Sequence, residues 1–255
     1  MKIKKKIKEI LNIPSFIKLI NNPIVNNKDV FILGSAPNPN LELYTKDKLL
    51  ITCNGSAASA HQNSLNAPVM TVIDNELVDS DIASTKPSRK KIINNRLLKG
   101  LNLGHLVSVQ SNFSKGGSPE ILGAEYKKFE QININLRRMI LSRTLDLKWL
   151  EMDELSLAST GGFTIALCAF LNARSITFEG FNLFQGESND LKHFYESDKY
   201  LPSTSKKLNT KAHSLADSLV IGLLVARGKK LFSSEVDFSP LLSNWGNPIF
   251  KYKER

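Results

Sequence analysis

Three short turns hold the residues with which this chain could bind an anion. In "STGGF", Ser159 and Thr160 precede Gly161, Gly162 and an apolar run that begins at Phe163. A hydroxyl residue there can cap a helix, and the glycines leave the first amides uncovered, so a carboxylate or phosphate would suit the mouth of the turn. The same residues equally suit a plain cap with two glycines at a tight contact. "GSA" (Gly34, Ser35) and "NGSA" (Asn54, Gly55, Ser56) each follow an apolar run and repeat the design with neutral donors. Taken singly, each is also an ordinary strand-to-helix turn. Two carboxylates, Asp74 and Glu179, end apolar runs, where each is either a nucleophile or a cap. Asp74 reads as a cap, and Glu179 stays open between the two. No Gly-x-Gly-x-x-Gly and no Gly-x-x-x-x-Gly-Lys-Ser/Thr occurs, which speaks against a nicotinamide enzyme or a P-loop NTPase.

The elements around these turns define a fold. Strands are expected at Val30–Leu33, Leu49–Cys53, in the run ending at Asp74, in "GHLVSVQSN" and at Ser175–Glu179, with a last strand after the Gly228 stop. Helices are expected at Phe163–Leu171 and in "AHSLADSLVIGLLVA". This alternation predicts an α/β fold, a Rossmann-like parallel sheet covered by helices, with ligands at the carboxyl ends of the strands. Residues 115–156 are charged and helix-leaning, and read as an inserted helical lid.

Composition sets the outer bounds. With 255 residues, 42% of them hydrophobic, the chain can build one substantial core. Cys53 and Cys168 lie in apolar runs without metal-type spacing, so reduced, buried thiols are expected. No apolar run is long enough to span a membrane and no signal core opens the chain, which predicts a cytoplasmic protein. The net charge of +10 points to an acidic partner. In residues 1–22, Ile3, Ile7, Ile10 and Leu11 recur at helical spacing among Lys2, Lys4, Lys5, Lys6 and Lys8, a basic amphipathic helix suited to a membrane surface or, as a solvated helix, to packing its apolar stripe on the domain. No basic patch interleaved with aromatics suggests nucleic acid as a partner.

"STGGFTIALCAFLNARSITFEGFNLF" resembles the small sialylmotif of the sialyltransferase superfamily, and is similar to the matching segment of bacterial lipooligosaccharide sialyltransferases. "HFYE" at 193–196 resembles the third motif, "AHSLADSL" around His213 the last, and "ILGSAPN" and "TCNGSA" the upstream elements of the bacterial enzymes. Ser35 stands where the family commonly has asparagine, Asn182 where the bacterial enzymes have aspartate, and Asp217 lies one position nearer His213 than the usual glutamate. Asn172 takes the place of the animal enzymes' cysteine, so no disulfide is implied.

The resemblance implies a sialyltransferase-like fold (GT-A variant, GT-B-related) over residues 23–255. It implies transfer of a keto-acid sugar from a CMP donor to a glycan or glycolipid acceptor, with no cofactor. His213 would be the general base with Asp217 orienting it, and His193 and Tyr195 would meet the phosphate. His61 and His105 are expected to be surface or core residues. A 3-deoxy-manno-octulosonic acid (Kdo) transferase, which can be retaining, and a non-catalytic nucleotide-binding membrane-associated protein are the alternatives. No metal is expected, and the basic helix would hold the enzyme at the inner face of the membrane.

Overall fold

The computed structural model describes residues 23–36, 39–79, 92–94, 96–110, 117–147, 158–181 and 207–234. Seven strands form one all-parallel sheet: β1 Asp29–Leu33, β2 Leu49–Cys53, β3 Met70–Asp74, β4 His105–Val109, β5 Lys128–Ile132, β6 Ser175–Glu179 and β7 Leu231–Phe232. Their spatial order is β5-β4-β3-β2-β1-β6-β7. The chain therefore steps outward from β1 to β5, then returns to the other side of β1 for β6. The expected strands all form, and β2 and β6 have the expected bounds.

Among the described residues the sheet is accompanied by the helices α1 Ser56–Gln62, α2 Ile134–Leu145, α3 Thr160–Phe170 and α4 Lys207–Ala226, the last with its side chains described from Ala216. Strand alternation sends Val30, Ile32, Ile51, Val72, Val107, Ile176 and Phe178 to one face, where they meet α2, α3 and α4. Helix α3 is apolar on every side, and residues 162–169 are all buried, as its place between the sheet and two helices requires. Burying a side chain such as Phe163 contributes about 2–3 kcal/mol. On the opposite face Phe31, Leu33 and Leu50 pack with Ala60 of α1, and Ile73 and Leu106 with Leu77, Leu98 and Leu103. Asn172 ends α3 in the left-handed region at φ +61°, a conformation asparagine tolerates, and its carbonyl accepts from the Asn27 amide at 2.8 Å.

The described part of the expected lid needs correcting. Residues 128–132 add edge strand β5 to the sheet, and the apolar side chains of α2 join the main core. The sequence "KFEQI" conceals this strand because Lys128 is exposed at the sheet edge and Glu130 is buried against Lys128 and His105, so charges replace a continuous apolar run. Residues 148–157 lie outside the described set, as do 1–22.

Candidate functional site at the carboxyl edge of the sheet

Strand order reverses between β1 and β6, and a crevice at the carboxyl ends of such strands is where open parallel sheets hold ligands. The loops leaving these two strands meet there. The Gly34 amide donates to the Glu179 carbonyl at 2.8 Å and the Ala36 amide to the Gly180 carbonyl at 3.0 Å. A Cβ on Gly34 would overlap the Gly180 carbonyl oxygen, and Gly180 has φ +77°, so both positions require glycine. The ring of Phe181 lies against Gly34 and also against Gly161, at the start of α3. Gly34 and Gly161 thus serve close packing, which for Gly161 was the second of the two readings its sequence allowed. Ser35 sits half-buried between the loops.

At the end of β2, Asn54 adopts φ +52° and its side-chain Oδ1 accepts from the Asp74 amide at 2.8 Å, while Gly55 is buried behind it. Asp74 is a cap, as expected: its carboxylate accepts from the Glu76 amide at 3.0 Å. Ser56 must be corrected. Its Oγ donates to the Leu33 carbonyl at 2.6 Å and accepts from the Cys53 amide at 2.8 Å, and the residue is fully buried. It ties β1 to β2 and offers nothing to a phosphate.

Helix α3 starts at the same edge. Ser159 caps it, accepting from the Gly162 amide at 3.1 Å, and Thr160 stands half-buried at its first turn. Asp217 of α4 grips this cap: Oδ1 accepts from the Ser159 amide at 2.7 Å and Oδ2 from the Ser159 hydroxyl at 2.5 Å. A Cβ on Gly162 would overlap that carboxylate, so this glycine too serves packing. His213 lies one turn before Asp217 on α4, and its side chain falls outside the described residues, as do His193, Tyr195 and Asn182. Glu179 is fully buried, accepting from the Ser234 amide at 2.6 Å and the Ser233 hydroxyl at 3.4 Å, which makes it a clasp on the chain leaving β7.

One residue of this edge went unsuspected in sequence. Arg137 of α2 is buried, its guanidinium 5.4 Å over the Phe163 ring, donating to the carbonyls of Gln110, at the end of β4, and Ala158, before the cap. Burial pushes its pKa down to about 10, opposed by Asp74 and Asp217, so it stays cationic at neutral pH. The available signal was an arginine set among Leu136, Ile140 and Leu141 on the buried side of α2. The other histidines fall as expected, His61 exposed on α1 and His105 buried at the opposite end of the sheet. Cys53 and Cys168 are free and buried, and burial pushes the Cys53 thiol up to about 12.

No family model matches the sequence, and no curated protein matches it. Solved structures similar to this chain include bacterial sialyltransferases. The α-2,3-sialyltransferase Cst-I of Campylobacter jejuni aligns with TM-score 0.45 and 13% identity over 81% of this chain and 75% of its own. The Campylobacter jejuni sialyltransferase CstII, in complex with the substrate analogue CMP-3FNeuAc, aligns with TM-score 0.47 and 12% identity over 81% and 80%. An α-2,3-sialyltransferase of the same organism in apo form gives 0.43 and 12% over 84% and 78%.

Asp79 and Asp81 form an Asp-x-Asp element of the kind that can hold a phosphate-bridging cation, against the expectation that no metal is used; Asp81 lies outside the described residues. Among the described residues no three His, Cys, Asp or Glu side chains gather as metal ligands, and no helix is long and apolar enough to cross a membrane. What the edge brings together is the N-terminus of α3, its cap held by the Asp217 carboxylate, the half-buried Asn54 and Ser35, and the buried Arg137.

Proposed function

We propose that this chain is a CMP-sugar-dependent glycosyltransferase that moves a keto-acid sugar of the sialic acid type to a hydroxyl of a glycan or glycolipid acceptor. The observation that carries the reading is the bond between Asp217 and Ser159, 58 residues apart, which joins two segments that resemble sialyltransferase motifs. Through it the helix that bears His213 meets the turn that could hold the donor's phosphate.

The chemistry follows from charge. As the anomeric bond to CMP breaks, the sugar becomes oxocarbenium-like and negative charge grows on the departing phosphate, so donors already fixed at the first turn of α3 act where the charge develops. His213 takes the proton from the acceptor hydroxyl, its ordinary pKa being near neutral. The two strand-end carboxylates, Asp74 and Glu179, are both engaged by backbone amides, which supports a single displacement with inversion over a covalent intermediate on either. The basic N-terminal segment would bring the enzyme to a lipid-linked acceptor at the inner face of the membrane.

Purified protein incubated with CMP-sialic acid and with CMP-Kdo, followed by NMR of the product's anomeric centre, tests this. Turnover with CMP-sialic acid, inversion, and loss of at least about a hundredfold in His213→Ala are the expected outcome. Turnover with CMP-Kdo alone would reassign the donor. CMP binding without turnover would make the chain a binding protein.

A further inference from the structure

Arg137 is the bulkiest fully buried side chain among the described residues, and no carboxylate hydrogen-bonds to it there. A buried cation is costly, and an apolar side chain of similar volume would fill the same space at lower cost. Its guanidinium spans two carbonyls that no strand pairing joins, Gln110 at 3.3 Å and Ala158 at a shorter distance, while its face rests on Phe163. Ala158 directly precedes Ser159, so this fork fixes the chain on one side of the cap while Asp217 fixes it on the other. The guanidinium reaches both carbonyls through separate N–H groups of one rigid plane, and the charge that comes with it is offset by the Asp74 and Asp217 carboxylates.

We propose that Arg137 is a positioning residue for the turn at the start of α3, where the donor's phosphate would sit, fixing Ala158 and with it the Ser159 cap. The proposal rests on the CMP-donor reading for its ligand but not for its mechanics. Because Arg137 remains charged when buried, while an ammonium in that place lacks the fork and loses charge more readily, lysine is a poor replacement.

The test uses the full-length protein and the variants Arg137→Met, which keeps the volume, and Arg137→Lys. Calorimetric titration with CMP and with cytidine separates phosphate from base and ribose. Both variants are expected to fold, to bind CMP at least about tenfold more weakly, and to bind cytidine as the wild type does. Equal weakening for CMP and cytidine, no weakening of either, or failure of both variants to fold would overturn the proposal by making Arg137 a residue of the fold alone. If the wild type itself binds no CMP, the donor reading fails separately. Hydrogen exchange at the Ser159, Gly162 and Phe163 amides then decides the matter: faster exchange in Arg137→Met upholds the positioning role, and unchanged exchange ends it.

Discussion

The two ends of the sheet carry similar polar groups held in different ways. At the amino end, Asp29 of β1 lies in register with Ser175 of β6 and accepts from its hydroxyl at 2.6 Å and from the Arg174 guanidinium, bonds that hold its carboxyl well below the usual range. In the same way His105 of β4 faces Lys128 of β5 in register, with Glu130 Oε2 3.6 Å from His105 Nε2 and Glu130 Oε1 2.8 Å from Lys128 Nζ. Each partner is a strand neighbour or next to one. At the carboxyl end the partners are helix caps and loops: Asp217 with Ser159, Arg137 with Ala158, Phe181 with Gly161. Pairing register therefore accounts for the amino end, whereas the carboxyl end exists only once α2, α3 and α4 have packed. A site made of non-local contacts can be reshaped without altering the sheet beneath it.

That contrast can be broken most severely at Gly162. In Gly162→Ala the new methyl displaces the Asp217 carboxylate, so a loss of about 3 kcal/mol is expected in urea unfolding, together with loss of CMP binding. A cost near zero would mean that the joint between α3 and α4 is slack, and the contrast would fail.

Asp217→Asn is milder, because an amide fills the same space but cannot accept two bonds from Ser159. A loss of about 2 kcal/mol is expected, with weaker CMP binding and an unchanged sheet by circular dichroism. Wild-type affinity for CMP would separate this contact from the site.

The smallest effect belongs to the amino end. Burial pushes the His105 pKa below its ordinary 6.5, against the opposing pull of Glu130. A group whose folded pKa is lowered contributes stability above its unfolded pKa and loses it as the pH falls, so Tm should drop by about 3 °C between pH ~7 and pH ~5 from this residue. His105→Gln should flatten that slope and leave CMP binding untouched. A change in CMP affinity would show that the two ends communicate.

The sheet could be read largely from the sequence because buried parallel strands are short apolar runs bounded by turns, as at Leu49–Cys53 and Ser175–Glu179. Strand β5 could not, since Lys128, Glu130 and Gln131 break its apolar run and its pattern imitates a charged helix. Ser159 as a helix cap was readable from its place before two glycines and an apolar run. What those glycines were for was not, because close approach and ligand access demand the same residue and differ only in what lies opposite. Ser56 misled for the same reason: a serine after a strand is a donor to a ligand or to its own fold, and only the Leu33 carbonyl beside it decides.

The sequence by itself determined the class of fold, the caps and the turns, since these depend on local periodicity and on side chains bonding to nearby backbone. The tertiary structure alone decided that Asp217 closes on Ser159, that Arg137 stands behind the turn and that Glu179 faces inward to the end of β7. Those contacts join segments far apart in the chain, and their geometry follows from how three helices pack on one face of the sheet, which no local pattern encodes.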